Sequence, residues 1–329
     1  MPTSSARSAL FTRLSSLVRR DIRIGVVGAT GAVGSVTLGL LRERGYENVR
    51  AFASARSAGQ EVCGILVERA TPESLAAGHL DVCLFSAGTS VSRELVPHAV
   101  RGGAIAIDKS SAYRLQDDVP LVVPEVNAES AATHRGIVAN PNCCTIPLTM
   151  ALKPLHDEAG LGRVRVSTYQ SMSGAGAQRM EELKAMAPGE GNLAMDWDFD
   201  GEEFEEERKL RAETCKILDL PDLPISVNCV RVPVLIGHTE AVWVETREPL
   251  SADAAAALLA QAPGVRLEPV PRPRDAVGID EVLVGRVRTD PTIANGLVLL
   301  LACDNLRKGA ALNAIQIAEH IFQLASLAA

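Results

Sequence analysis

The chain has 329 residues, 47% of them hydrophobic, and a net charge of −7. That is apolar material for two domains with substantial cores, too much for a disordered protein, and no basic stripe interleaved with aromatics points to nucleic acid. No apolar run is long and charge-free enough to span a bilayer, and seven cysteines without a C-x-x-C pair or Cys/His ligand spacing argue against a disulfide framework or metal site and for a reducing, cytoplasmic setting.

Residues 1–21 stand apart, with Arg7, Arg13, Arg19 and Arg20 among serines and apolar residues and no acid before Asp21. An organellar transit peptide, a disordered extension and a misplaced start all share that composition; the untargeted readings are preferred, and the fold is expected to begin near Ile22. From there 22–27 reads as a buried strand, 32–44 as a helix and Val49–Ala53 as a second strand, the βαβ entry of a doubly wound sheet. The turn between the first two is Gly28-Ala29-Thr30-Gly31-Ala32-Val33-Gly34. A glycine loop that follows a strand and opens a helix offers backbone N–H groups to a pyrophosphate, so Gly28, Thr30, Gly31, Ala32, Val33 and Gly34 are candidate cofactor residues.

NAD readers place an acid at the end of the second strand for the ribose hydroxyls; here stands Ser54-Ala55-Arg56-Ser57. Ser54, Ala55, Arg56 and Ser57 suit a 2′-phosphate, and NADP is expected over NAD; the plainer reading of Arg56 is a solvated surface charge. Strands at Val82–Phe85 and 104–107, with a helix over 91–100 between them, continue the nucleotide domain to residue 141.

At Asn140-Pro141-Asn142-Cys143-Cys144-Thr145 an apolar strand gives way to a helix. A thiol at that junction faces free N–H groups and the positive end of the helix, which favour the thiolate. Cys63, Cys83, Cys215, Cys229 and Cys303 lie in or beside apolar segments and read as inert small hydrophobes. Cys143 and the glycine loop together predict hydride transfer to a thioester. Beyond it, strands at 164–169, 227–232, 241–246 and 297–303 predict a second, mixed-sheet domain over 142–305. Residues 196–207 are expected as a solvated acidic loop leading into a helix. The segment 306–329, with Ala311, Ile315, Ala318 and Phe322 on one face, is expected to pack on the nucleotide domain.

Six motifs in order carry a family resemblance: the glycine loop, Ser54-Ala55-Arg56-Ser57-Ala58-Gly59, Asn140-Pro141-Asn142-Cys143, residues 167–176 (STYQSMSGAG), Arg231-Val232-Pro233 with His238, and residues 304–311 (DNLRKGAA). From about Ile22 to its end the chain resembles the aspartate-semialdehyde dehydrogenases. The resemblance implies an α/β fold, with a Rossmann-type NADP-binding domain and an α+β catalytic and dimerisation domain. It also implies a homodimer and NADPH-dependent reductive dephosphorylation of L-aspartyl 4-phosphate to L-aspartate 4-semialdehyde, a step toward lysine, methionine, threonine and isoleucine. An acyl phosphate acylates well but accepts hydride poorly, so a thiolate first displaces phosphate.

By the same resemblance Cys143 is the nucleophile, His238 the acid/base and Gln170 the residue orienting the acyl group. Arg231 is expected to clamp the α-carboxylate, its planar fork matching that anion. Arg114 and Lys209 are expected to take the phosphate with help from Asn142, and Glu206 the ammonium; a surface ion pair is the plainer reading of Glu206 and Lys209. Ser173, Gly174 and Asn305 are implied at the nicotinamide end. His79, His98, His134, His156 and His320 read as structural. Two positions depart from the family, Lys109 where Asn is common and Cys144 where Ser is common. N-acetyl-glutamyl-phosphate reductase chemistry and a non-catalytic NADP-binding relative are the competing readings.

Overall fold

The computed structural model describes residues 21–187, 190 and 194–328, with side chains to Gln323; the expectation for the N-terminal extension falls, but for Asp21, outside them. The chain divides into two units, one of the described residues to Pro141 together with those from Ala310, the other Asn142–Gly309.

In the first unit the chain runs β1 (Ile24–Val27), α1 (Ala32–Glu43), β2 (Val49–Ala53), β3 (Glu61–Val62), β4 (Ile65–Arg69), α2 (Pro72–Ala76), β5 (Val82–Phe85), α3 (Thr89–Arg101), β6 (Ile105–Asp108), α4 (Pro124–Asn127) and β7 (Ile137–Ala139). They form a sheet of order β3-β4-β2-β1-β5-β6-β7, parallel except where β3 pairs with β4. Both β1 and β5 are buried along their whole length, as apolar runs covered on two faces must be. Strand order reverses between β1 and β5, and the glycine loop leaves β1 at that switch point, where doubly wound folds bind ligands.

The hairpin β3–β4 has no counterpart in the sequence reading. Its two-residue turn is Cys63-Gly64, with φ of 53° and 81°, the left-handed pair of a tight hairpin. Cysteine in place of the usual Asn or Asp concealed it.

The second unit holds α5 (Thr145–Ala159), β8 (Leu161–Gln170), α6 (Ala177–Ala185), α7 (Glu205–Leu218), β9 (Ile225–Arg231), β10 (His238–Thr246), α8 (Ala252–Gln261), β11 (Val265–Leu267), α9 (Pro273–Ala276), β12 (Val282–Thr289) and β13 (Gly296–Cys303). Its mixed sheet has the order β11-β12-β13-β10-β8-β9, with β8–β9 and β11–β12 parallel and the rest antiparallel. Burial alternates along β8, the mark of a sheet with one covered face. After β13, the helix α10 (Leu312–Ala328) returns to the first unit as expected. Its Leu312, Ile315, Ile317 and Ile321 join the core with Ile24 and Val26 of β1, and Arg44 pairs with Glu319 at 2.8 Å.

The segment 196–207 is only partly the solvated loop the sequence suggests. Asp196 bonds Arg231 at 2.9 Å, and Glu206 and Glu207 are buried in the first turn of α7. Glu207 accepts the N–H groups of Phe204 and Cys229, both at 2.9 Å. Charge composition hides these acids because their partners, a guanidinium, two side-chain amides and two backbone N–H groups, come from distant residues or from the backbone.

Candidate active site

The Asn140–Cys144 turn is shaped by backbone bonds around α5. Asn142 Oδ1 accepts the Cys144 N–H at 2.8 Å, and its carbonyl accepts the Ile146 N–H at 3.1 Å. Glu213, on α7, accepts both the Asn142 N–H at 2.7 Å and the Thr145 hydroxyl at 3.1 Å. These bonds fix Cys143 just before the N-cap of α5, as the sequence anticipates. Gly309 allows the following segment to lie close, since a Cβ there would stand 3.2 Å from Cys143 Cβ.

His238, the first residue of β10, brings Nε2 to 3.2 Å from Cys143 Sγ. Its Nδ1 accepts the Ser171 N–H at 3.0 Å. A ring nitrogen that accepts a backbone N–H carries no proton of its own, so the neutral imidazole holds its proton on Nε2, toward the sulfur. Asn305 braces this arrangement: its Oδ1 accepts the Gly237 N–H at 2.9 Å and the Ser171 hydroxyl at 3.0 Å, and its amide donates to Ser173 Oγ at 2.9 Å. Ser173 and Asn305, expected at the cofactor, are thus both buried in the bracing of the His238 loop.

Gln170 ends β8 and Arg231 ends β9, paired in register. Gln170 and Asn142 both donate to Glu206 Oε1, at 3.0 and 2.9 Å. Burial raises the Glu206 carboxyl above its ordinary range and Cys143 adds to the rise, while the two amides oppose it. Lys209 pairs with Glu205 at 2.8 Å, one turn before it, so the pairing with Glu206 suggested by spacing is not the one made. Arg231 is 3% exposed; it holds Asp196, donates to the Ser171 carbonyl at 3.0 Å and stacks 4.6 Å from the Trp197 ring centroid. Gly174 keeps the space beside this group open, as a Cβ would lie 3.2 Å from both Arg231 Nη1 and His238 Nε2.

Two further side chains escaped the sequence reading. Glu213 shares the α7 face of Leu210, Thr214 and Ile217, and a lone acid in an apolar stripe was the readable sign. Glu240 follows His238 by two positions on β10 and so shares its face. It is 1% exposed and neither carboxylate oxygen has a conventional hydrogen-bond partner; the Cys144 thiol is the polar group that meets it. Burial raises both the Glu240 carboxyl and the Cys144 thiol well above their ordinary values.

In the first unit, Gly28 has φ of 82°, and a Cβ on Gly34 would fall 2.1 Å from the Gly28 carbonyl oxygen, so the loop and the first turn of α1 touch as only glycines allow. Gly31 caps α1 with no side-chain bond, leaving the first-turn N–H groups of Ala32 and Val33 for a phosphate. Ser54, Ala55 and Arg56 are exposed just past β2, and Ser57 closes the turn onto the Ser54 carbonyl at 2.9 Å. These features fit a dinucleotide. Arg114 donates to the carbonyls of Asn140 and Lys109, at 3.0 and 2.5 Å. Lys109 lies 3.3 Å from Thr37 Oγ1 and is half-buried; desolvation lowers its ammonium to about 7 against the pull of Asp108.

Comparison with known proteins identifies the family. The family model described as "Semialdehyde dehydrogenase, NAD binding domain" matches residues 23–134, and "Semialdehyde dehydrogenase, dimerisation domain" matches residues 152–308. The aspartate-semialdehyde dehydrogenase of Streptomyces akiyoshiensis is 44% identical over 91% of this chain and 98% of its own. Among solved structures, aspartate semialdehyde dehydrogenase II of Vibrio cholerae, complexed with ASA, superposes with a TM-score of 0.85 at 39% identity, covering 91% of this chain and 98% of that one. The enzyme of Candida albicans, solved with NADP, gives 0.72 at 26% identity, covering 91% and 98%. With its nucleotide-binding unit, its mixed-sheet second unit and relatives this similar along nearly their whole length, the chain belongs to the aspartate-semialdehyde dehydrogenase family.

Proposed function

We propose that this protein reduces L-aspartyl 4-phosphate to L-aspartate 4-semialdehyde with NADPH, through a thioester on Cys143. The observation that carries the reading is the 3.2 Å contact between Cys143 Sγ and His238 Nε2 at the start of α5. The positive helix end and the Nε2 proton both favour a sulfur anion. That thiolate attacks the acyl carbon and phosphate leaves, forming the thioester. When bound, the dinucleotide supplies the hydride. As the acid/base, His238 shares its Nε2 proton in a hydrogen bond with the alkoxide oxygen of the hemithioacetal and keeps it when the C–S bond breaks, releasing the aldehyde and the Cys143 thiolate. Gln170 and Asn142 orient the acyl group, with Glu206 behind both amides to receive the substrate ammonium.

Arg231 is the clamp for the α-carboxylate, which takes the place of Asp196 on the guanidinium; Arg114 and Lys209 supply charge for the phosphate. Gly28, Thr30, Gly31, Ala32, Val33 and Gly34 hold the pyrophosphate. Ser54, Ala55, Arg56 and Ser57 hold the 2′-phosphate, supported by an exposed Arg56 that forms no ion pair among the described residues. Gly174 gives the nicotinamide end room, with Ser173 and Asn305 beneath. The match to a dimerisation domain supports a homodimer built through the second unit.

The test is the reverse reaction: aspartate semialdehyde, phosphate and NADP are mixed with enzyme and NADPH absorbance is followed. Phosphate-dependent NADPH formation, lost in Cys143→Ala, is expected; its absence with folded enzyme would refute the reaction.

A further inference from the structure

Cys144, which the thioester chemistry does not use, changes what the site can bind. The sulfurs of Cys143 and Cys144 and a ring nitrogen of His238 all lie within 4.8 Å of one another, and the Cys143–His238 pair already stands at 3.2 Å. In a tetrahedral zinc site, with Zn–S about 2.3 Å and Zn–N about 2.0 Å, ligand atoms sit roughly 3.5–3.8 Å apart. The Cys143–His238 pair therefore needs to open slightly, and the other pairs to close by about 1 Å at most. Beside them stands Glu240, buried, with both oxygens lacking a conventional hydrogen-bond partner and Cys144 facing it.

We propose that Cys143, Cys144 and His238, with the Glu240 carboxylate facing Cys144 as the fourth donor drawn in on binding, form an inhibitory site for a thiophilic divalent cation of the zinc type. Two thiolates, an imidazole and a carboxylate suit zinc and disfavour magnesium and calcium, which take all-oxygen shells. Cys143 is the half-buried member of the set and provides the way in. As the metal–sulfur bonds form, the thiol protons pass to solvent. Ligation through Nε2 puts the imidazole proton on Nδ1, from where it is donated in a hydrogen bond to Ser171 Oγ at 3.1 Å while the Ser171 hydroxyl continues to donate to Asn305 Oδ1 at 3.0 Å. A histidine ligand needs such an outer partner. The cost is the bond from the Ser171 N–H, which makes the site a reversible trap rather than a permanent metal centre. Sequence spacing gives no sign of it, because the cysteine pair and His238 are 95 positions apart and meet only where β10 begins beside α5.

The metal-binding claim rests on geometry alone; its inhibitory consequence rests on Cys143 as nucleophile. Zinc binding to the reduced full-length enzyme is measured by competition with a chromophoric chelator, and cobalt is titrated for its thiolate charge-transfer absorption. One zinc per subunit is expected, with turnover lost in proportion and restored by chelator. Cys144→Ser, the residue common in the family, should keep turnover, weaken zinc binding by at least the ~10-fold that even an outer-shell partner contributes, and halve the cobalt–thiolate band. Glu240→Gln, nearly isosteric, should weaken zinc while leaving the band intensity per bound cobalt unchanged. Equal zinc affinity and equal band intensity in Cys144→Ser and the parent would overturn the site. Stoichiometric zinc with undiminished turnover would leave the metal site standing and refute instead the nucleophilic role of Cys143.

Discussion

The Ser171 backbone N–H points at His238 Nδ1 across 3.0 Å, and this single bond decides which end of the imidazole carries the proton. With Nδ1 occupied as an acceptor, Nε2–H faces Cys143, the tautomer that hydrogen-bonds a thiolate and then a nascent alkoxide. Replacing His238 with Asn removes that proton donor. Turnover should fall about 10²–10⁴-fold, the usual share of a positioned acid/base group. An unchanged kcat would assign that role elsewhere.

Cys143→Ala is expected to lower turnover by roughly 10⁴-fold or more, as removal of a covalent nucleophile does, whereas Cys144→Ser remains active. Mass spectrometry after mixing with aspartate semialdehyde and NADP, phosphate withheld, should find the acyl adduct on position 143. An adduct on position 144 would reverse the assignment.

Asn305 ties Gly237, Ser171 and Ser173 into one cluster. Asn305→Ala leaves the Gly237 N–H without its acceptor, at a cost of about 1–3 kcal/mol in unfolding free energy. The loosened His238 should lower kcat by up to about 10²-fold. Chemical denaturation with steady-state kinetics separates the two effects, and a stability loss with normal kcat would confine Asn305 to folding.

Arg56→Ala should raise KM for NADP by about 10–100-fold, the equivalent of one charged hydrogen bond, with KM for NAD almost unchanged. Parallel kinetics with the two dinucleotides reads this directly. Equal effects on both would mean that Arg56 does not touch the 2′-phosphate.

Glu240 gives a stability prediction with a definite sign. Its folded carboxyl titrates well above the ordinary 4.5 because of burial, so between 4.5 and the folded value the native state binds a proton that the unfolded chain does not. Stability contributed by the neutral acid is therefore full below about pH 4.5 and declines as pH rises through that window. Glu240→Gln, which cannot ionise, should gain in Tm relative to the parent as pH increases from 5 to 8. Parallel Tm curves for the two proteins across this range would contradict a buried neutral carboxyl.

Much of this molecule can be read without coordinates. The glycine loop, the core strands β1, β2, β5 and β7 and the helix start after Cys143 follow from local patterns, because buried apolar runs and helix termini are set by neighbours in sequence. The C-terminal helix shows its apolar face for the same reason. Local pattern failed at β3–β4, where cysteine occupies a left-handed turn position, and at 196–207, where acids that look solvated accept from Arg231, from two side-chain amides and from backbone N–H groups.

The one-dimensional string determined the two-unit α/β plan, the thiol at a helix start and the strand-end positions of Gln170, Arg231 and His238 in the same unit. What only the three-dimensional fold decided is how those groups are paired: Glu206 with Gln170 and Asn142, Arg231 with Asp196, and Cys144 with Glu240 beside the Cys143–His238 pair. Spacing reports only contacts made within one helix or strand. These partners come from different elements, and their protonation and pairing depend on burial that exists only once the sheet and helices have packed.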